Sequence, residues 1–368
     1  MTRRLGLDRL FLRTFRELVE DGTIDPSELE RERIAAVVVA AMDDMAAATL
    51  VELRKTEQAT LAEHREIRQG FEQRLFDLWG PAIDALEIVL IAASEAGDQV
   101  LKEDRRIAAH DPQFQALVGL HARACLVTSE ILALLRSGHA SGAHARWRTL
   151  HELAVVAMFI KEQDRSTAER YLVHADVRQV GRLDAFQKYA DKLGEVKLSP
   201  AEEQAVRDRK AEILKRESDP KGFASPWGWA GPVLGISRPT FDQIEDSVKL
   251  DHWRPWVGLA HYPVHAGVGG AIFDMGNDAD LLLAGPSNAG LADPGHSAAI
   301  SLLLVTLALL LHRQNADRLL IAKVIQGLVD DVGEAFAAVE AEYDRRKSAL
   351  TRHREPRRAR RRAPKADK

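Results

Sequence analysis

Hydrophobic and polar residues recur along most of this chain with the 3.6-residue period of an α-helix, and no stretch sustains the alternation of a strand. From Ala82 onward the pattern predicts helices over residues 82–103, 113–136, 141–163 and 166–192. Capping sequences mark helix starts: Asp111 precedes a proline, and Ser166 and Ser199 each stand three residues before a glutamate. The pattern therefore predicts an all-α fold, with a helical bundle as its architecture.

The first 80 residues have a different character. Leucine and phenylalanine alternate with charged residues over 5–20, and an N-cap at Asp25 opens a helical pattern that runs to the Gly80-Pro81 pair, where we expect the helix to end. Its middle is highly charged with few large apolar residues, so a compact core cannot surround it. We expect residues 1–80 to form a long helical arm for dimerisation or docking, with a homodimer as the predicted assembly.

The body of the chain, residues 81–348, is predicted to be the core bundle. Two stretches rich in Gly, Pro, Asp and Asn, over 218–240 and 274–296, are longer than ordinary connections between helices and are predicted to be functional or lid loops. The longest apolar run, over 300–311, falls well short of the roughly 20 residues that span a bilayer. It predicts a buried central helix and no membrane contact.

Residues 349–368 are predicted to form a basic tail on an acidic body. From Thr351 to Lys368, nine Arg or Lys residues stand against Glu355 and Asp367, although the whole chain has a formal net charge of −4. This stretch has no large apolar residue to bury, so we expect disorder. The tail either binds RNA or another polyanion or serves as a solubilising terminus, and both interpretations stay open.

The cysteine content and the N-terminal sequence indicate the cellular compartment in which the protein works. The single cysteine, Cys125, excludes a disulfide framework and is expected to be buried as a small hydrophobe. The N-terminus has charges scattered through its apolar positions, unlike a secretory signal. The predicted location is the cytoplasm.

The richest chemistry lies in residues 136–162, where Arg146, Arg148, His151 and Glu152 open an otherwise apolar helical run. Arg148 and Glu152 stand four residues apart, close enough on a helix to pair. Polar groups that enter a core need partners. These residues therefore form either a buried polar network or an open reactive site.

Further candidates lie downstream. His174 shares a helical face with Arg170 and Arg178, and we expect this face to meet solvent, although it could line the same cleft. His261 and His265 follow a segment in which four of the six tryptophans fall within thirty residues. These aromatic residues either cover the bundle or form a wall for ligand or base stacking.

The familiar metal and nucleotide motifs are absent from the sequence. His151-Glu152 is followed by Val155, where a zinc protease would have its second histidine. The central helices lack the Glu-x-x-His pairs of di-iron bundles, and the chain has no phosphate-binding P-loop. We predict neither a metal nor a cofactor, which leaves acid–base chemistry by arginine and histidine.

The segment RWRTLHEL over 146–153, followed by AERYLVHA over 168–175 and AHYPVHAG over 260–267, resembles a bacterial family of helical proteins of unknown function. Arg146 and His151 also match the R-x(4–6)-H pattern of the HEPN superfamily, with Trp147 where its members usually have a polar residue. The resemblance implies a metal-independent ribonuclease built from a helical bundle and commonly dimeric. It implies that Arg146 stabilises the transition state and that His151 is the acid or base.

Two functions of different classes remain open. One is a HEPN-like ribonuclease, or an inactive nucleic-acid-associated relative. The other is a non-enzymatic helical interaction or regulatory protein, in which the Arg/His/Glu cluster is structural. Convergence on one open cleft would favour the enzyme, and burial in mutual hydrogen bonds would favour structure. The candidate catalytic residues are Arg146, Arg148, His151, Glu152, His174, His261 and His265.

Overall fold

The computed structural model describes residues 31–108, 110–265, 267 and 284–362, together with Arg16, Val19, Glu20 and Gly22. Over these residues the fold consists of α-helices and short 3-10 turns without a strand, which confirms the all-α prediction. The α-helices are α1 (Arg31–Glu103), α2 (Arg105–Ala108), α3 (Pro112–Arg136), α4 (Ala140–Glu162), α5 (Arg165–Leu193), α6 (Pro200–Leu214), α7 (Pro220–Phe223), α8 (Gly231–Leu234), α9 (Phe241–Ser247), α10 (Arg254–His261), α11 (Ala292–Leu310) and α12 (Ala316–Arg362). The 3-10 turns are Gly228–Ala230, Asp251–Trp253 and Leu311–Arg313.

The chain divides into two compact units, Met1–Arg74 and Leu75–Lys368. In the first unit, most side chains between Leu50 and Gly70 on α1 are exposed, and local pairs such as Lys55 with Glu52, 2.6 Å apart, link successive turns. Such pairs each add little stability. The helix predicted over 5–20 and the N-cap predicted at Asp25 lie almost wholly outside the described residues.

Helix α1 continues through Pro81 to Glu103, so the predicted break there is wrong, as is the separate helix predicted after it. Proline lacks the N–H that would bond the preceding turn. Packing offsets this loss, because Trp79 and Ile83 are fully buried and the Trp79 indole donates a hydrogen bond to the Asn288 carbonyl over 3.1 Å. Tertiary burial here outweighs the local preference of the sequence.

Of the three predicted caps that fall on described residues, two are present. Asp111 accepts hydrogen bonds from two backbone N–H groups at the start of α3, and Ser199 forms a complete capping box at the start of α6. The N-cap of α5 is Asp164, whose carboxylate accepts from the Thr167 N–H over 3.0 Å, so the predicted cap at Ser166 is wrong. The acidic side chain sits two residues earlier and completes the cap there.

Helix α11 is the centre of the second unit. It packs against α3, α4 and α12, and Leu302, Val305 and Leu310 are fully buried, which confirms the predicted central helix. By length and composition alone, α3 and α11 could each cross a bilayer. In the most apolar part of α11, however, 72% is buried within the bundle, and core helices of soluble proteins pass the same test.

The predicted loops and tail differ in how far the structure covers them. The stretch 218–240 folds into α7, a 3-10 turn and α8. In the stretch 274–296, residues 274–283 lie outside the described residues and α11 begins at Ala292. Disorder is predicted from residue 349 on. The helical backbone of α12 reaches Arg362, and residues 363–368 lie outside the described residues. Arginine, which makes up half of residues 349–362, is a strong helix former.

Candidate functional site

Helix α4 carries four of the seven candidate residues in its middle turns: Arg146, Arg148, His151 and Glu152. Its C-terminal half, from Leu153 to Ile160, is almost wholly buried and fixes the helix in the core. Successive helical residues are about 100° apart, so the four side chains leave α4 in different directions. The structure consequently separates them into three environments.

His151 lies in a buried polar network with Glu245 of α9 and Arg254 of α10. His151 Nε2 is 2.8 Å from Glu245 Oε1, and Arg254 Nε donates to Glu245 Oε2 over 2.7 Å. The His151 and Glu245 side chains are 2% and 1% exposed, whereas that of Arg254 is 40% exposed. Arg254 also donates to the Asp242 carbonyl and pairs with Asp246. It therefore joins the buried carboxylate to the protein surface.

Burial lowers the pKa of His151 and outweighs the opposing effect of the Glu245 carboxylate beside it; the charge of His252 lowers this pKa further. The neutral imidazole donates its Nε2–H to Glu245. Because so little of the side chain is exposed, a bound RNA strand could contact it only if the network opened. In the closed network His151 holds α4 to α9.

Trp147 is the packing centre beside this network. Its ring stacks on His144 with centroids 5.2 Å apart and meets Trp253 edge-on at 6.0 Å. Its indole N–H lies 3.0 Å from both the Ser297 carbonyl and the Ser301 hydroxyl. The polar position after Arg146 in HEPN proteins is thus taken here by a fully buried core residue.

Arg146 faces a different neighbour. Its Nε pairs with Glu130 of α3, and its Nη1 lies 3.5 Å from the Thr149 hydroxyl. Five helical residues correspond to a rotation of about 140°, which directs Arg146 away from His151. The structure does not bring the two residues of the HEPN pattern together.

His174 is buried, so the predicted solvent-facing position is wrong for this residue. Its Nε2–H points at the carbonyls of Phe223 and Ser225, at 3.0 and 2.9 Å. Burial lowers the pKa of His174, against the two carbonyls, which raise it. Arg178, on the same face, donates to the neighbouring Ala224 carbonyl over 3.2 Å. This face of α5 anchors the segment that follows α6.

The remaining candidates lie on the half-exposed side of α4, within electrostatic range of one another. We name the following group the Arg148 cluster: Arg123 of α3, Arg148 and Glu152 of α4, Tyr171 of α5, His261 at the end of α10, and His265. The rings of His261 and His265 are 5.9 Å apart between centroids. The cluster therefore unites four of the seven candidates and adds Arg123 and Tyr171.

Burial and neighbouring charges shift the pKa values of two groups in the Arg148 cluster. Burial raises the pKa of the Glu152 carboxyl, although the charges of Arg148 and Arg123 oppose it. Burial lowers the pKa of His261, and Arg148 and His265 lower it further. His261 is therefore neutral at pH 7, which suits a base, and Arg148 supplies a positive charge beside it.

Sequence reasoning missed Glu245, which completes the buried network. It lies 94 residues from its partner His151, a separation that local patterns do not bridge. The available signal was its position beside Ile244 in a short amphipathic helix, where both residues are buried. Among the described residues, no three His, Cys, Asp or Glu side chains converge as a metal ion would require.

The tryptophans upstream of α9 lie in two different environments. Trp229 is buried and meets Phe159 and Tyr171 edge-on, at 5.5 and 5.0 Å, so it covers the bundle. Trp227 is half-buried, contacts Phe241 at 5.4 Å and lines a cleft.

Comparison with known proteins gives a family match over the part of the chain that holds these groups. Residues 114–280 match the model of DUF5677, a family of unknown function. The match begins in α3 and covers α4 to α10, and so includes the buried network and the Arg148 cluster. It supports the resemblance to an uncharacterised family, whereas nothing in it points to the HEPN superfamily. Neither the curated proteins nor the solved structures contain a match.

Proposed function

We propose that this chain is a HEPN-like, metal-independent ribonuclease whose reacting residues are Arg148, His261 and His265, with His151 in a supporting role. The observation that carries the proposal is the placement of Arg148 near His261, whose ring lies 5.9 Å from that of His265. Two histidines with an adjacent arginine can supply the general base, the general acid and the charge stabilisation for cleavage of RNA through its 2′-hydroxyl. His261 and His265 retain access to solvent, whereas His151 is buried.

In this mechanism neutral His261 accepts the proton of the 2′-hydroxyl as the 2′-oxygen attacks the adjacent phosphorus. Arg148 stabilises the charge that develops on the phosphorane oxygens. His265 donates a proton to the 5′-oxygen as the bond from phosphorus to that oxygen breaks. The products are a 2′,3′-cyclic phosphate and a 5′-hydroxyl. Glu152, on the next turn of α4, lies within electrostatic range of Arg148.

The buried network links the two helices that carry Arg148 and His261. It joins His151 of α4 to Arg254, the first residue of α10, and His261 is the last residue of that helix. Arg148 lies on α4, one turn before His151. The network thus fixes the helix that carries the proposed base relative to the helix that carries the arginine.

The proposal is tested by RNA cleavage in the presence of a metal chelator. We expect wild type to form 2′,3′-cyclic phosphate ends, and Arg148→Ala and His261→Ala each to lower the rate at least about a hundredfold. Unfolding by urea should change by less than about 1 kcal/mol for Arg148→Ala, since its side chain is partly exposed.

The exposed His139 provides the matched control, and His139→Ala should cleave at the wild-type rate. Cleavage by His261→Ala equal to wild type would exclude the assigned base. A wild type inactive on single-stranded and structured RNA alike would exclude a ribonuclease.

A second candidate function is a non-enzymatic helical interaction protein. Exposed apolar side chains on α12 favour it: Leu319, Leu320 and Val324 are 46%, 65% and 54% exposed. Such a face fits a helix of a partner or of a second copy of this chain, consistent with the predicted homodimer. In this alternative the basic tail binds RNA or another polyanion, without a membrane, in the cytoplasm.

A further inference from the structure

A cleft of about 620 Å³ lies beside the segment that connects α6 to α9, in the volume range typical of small-molecule sites. We name it the Trp227 cleft. It lies within the segment that matches DUF5677 and does not include the Arg148 cluster. The side chains that matter for a ligand are Lys221, Ser225, Trp227, Arg238, Thr240 and Phe241.

Two aromatic rings give this cleft a surface for a planar group. The Trp227 and Phe241 rings are 5.4 Å apart between centroids and inclined by 43°, and both residues are half-buried. Behind Phe241, the ring of His151 meets it edge-on at 6.4 Å. The buried network therefore holds one ring of the surface in place, and both aromatic residues line the cleft.

Two cations line the same cleft. Lys221 and Arg238 are both exposed, and none of the described residues that line the cleft is acidic. Asp219 lies nearby, where hydrogen bonds from Ser237 and the Gly222 N–H lower its pKa and Arg238 contributes further. It stays ionised and offsets one positive charge, so the cleft retains a cationic character suited to a phosphate.

The wall of the cleft is held by several independent bonds. His174 binds the Phe223 and Ser225 carbonyls, and Arg178 binds the Ala224 carbonyl between them. The Ser225 hydroxyl is buried in this wall and has no hydrogen-bond partner among the described residues. Buried polar atoms are normally paired, so a polar ligand atom would complete the wall. A site that is largely preformed loses little entropy on binding.

We propose that the Trp227 cleft binds a nucleoside monophosphate. The base stacks on Trp227 and Phe241, and the phosphate pairs with Lys221 and Arg238. A nucleotide is the ligand class that uses both halves of the cleft, because a nucleoside engages only the rings and a simple phosphate only the cations. The site is independent of RNA cleavage at the Arg148 cluster.

Isothermal titration of the full-length protein with AMP, GMP, CMP and UMP tests this assignment. We expect at least one nucleotide to bind at least tenfold more tightly than its nucleoside and than inorganic phosphate. Trp227→Leu should weaken binding about tenfold or more through lost stacking, and the double variant K221Q/R238Q by at least as much through lost charge. Trp256→Leu and Lys192→Gln are matched controls at exposed positions outside the cleft, and both should bind as wild type does.

Three outcomes would overturn the proposal: no nucleotide binds at millimolar concentration, phosphate binds as tightly as the best nucleotide, or the cleft variants bind like wild type. If Trp227→Leu fails to fold, K221Q/R238Q decides the matter, because both side chains are exposed. All cleft variants keep Arg148 and His261. Nucleotide binding by a protein that cleaves no RNA would therefore support the cleft while contradicting the proposed ribonuclease.

Discussion

His144 shows how a single buried residue sets a pH limit on this fold. Both of its ring nitrogens are buried without a hydrogen-bond partner among the described residues, and burial lowers its pKa to about 4. His121, packed against Gly97 of α1, also has a pKa lowered to about 4 by burial. In the unfolded chain both residues return to the ordinary histidine value, so the unfolded state binds more protons between these values.

The free energy of unfolding of wild type should therefore be unaffected by these two histidines above about pH 6.5 and should fall as the pH drops toward 4. For His144 alone the linkage amounts to about 2 kcal/mol of lost stability at pH 5. His144→Phe keeps a ring stacked on Trp147 and removes the titration, so we expect it to lose about 2 kcal/mol less than wild type between pH 8 and pH 5. Urea unfolding at the two pH values measures this difference.

The exposed His139 again supplies the comparison. His139→Phe should show the same loss of stability between pH 8 and pH 5 as wild type. If His144→Phe also loses as much stability as wild type, burial of His144 does not limit the fold at low pH.

At the scale of helices, the close approach of α11 to α12 depends on a glycine. A Cβ added at Gly295 of α11 would lie 2.2 Å from the Phe336 ring of α12, and Phe336 is itself fully buried against Trp79. Gly295→Ala should therefore destabilise the protein by about 1–3 kcal/mol through overpacking. The free energy of urea unfolding measures the effect.

Gly327 in α12 is the matched control. A Cβ at this exposed position meets no atom within 4 Å, so Gly327→Ala should stabilise the protein by up to about 1 kcal/mol through helix propensity. Equal effects of the two substitutions would contradict tight packing at Gly295.

The same scale shows where sequence reasoning succeeds. The caps at Asp111 and Ser199 are local, since each side chain bonds backbone within three residues, and local patterns identify them. The predicted break at Pro81 is wrong because Trp79 is buried and bonds to Asn288, 209 residues further along the chain. This distant packing keeps the helix intact. The buried state of α11 was predictable from apolar composition alone.

The candidate site was predictable only in part. The polar run on α4 was evident, but the direction in which each side chain leaves the helix depends on neighbours far along the chain. Glu245 lies 94 residues from His151, and Phe223 lies 49 residues from His174. These long-range contacts determine which histidines are buried and which lie near Arg148. A single sequence carries no local signal for them.

At the scale of the whole molecule, charge is divided between the body and the tail. Deleting residues 351–368 should weaken RNA binding and flatten its dependence on salt, by up to about five units of logarithmic slope if all seven net charges contact phosphates. The thermal midpoint should stay almost unchanged, since the deleted stretch lacks large apolar residues. Filter binding over a salt series and thermal melting measure the two effects.

A shorter deletion, of residues 363–368, removes two lysines and one aspartate and serves as the control. It should change the salt dependence by less than about one unit of slope. A large drop in thermal midpoint for the longer deletion would mean that the tail contributes to the fold.

The central position of α11 has a consequence for synthesis of the protein on the ribosome. Helices α3 and α4 both pack against α11, which begins at Ala292, 130 residues after α4 ends at Glu162. At roughly 5–20 residues per second, about 7–30 s of translation separate the completion of α4 at Glu162 from that of α11 at Leu310. Throughout this interval the apolar faces of α3 and α4 lack the helix that covers them. We therefore expect the nascent chain to be most prone to aggregation between these two points of translation.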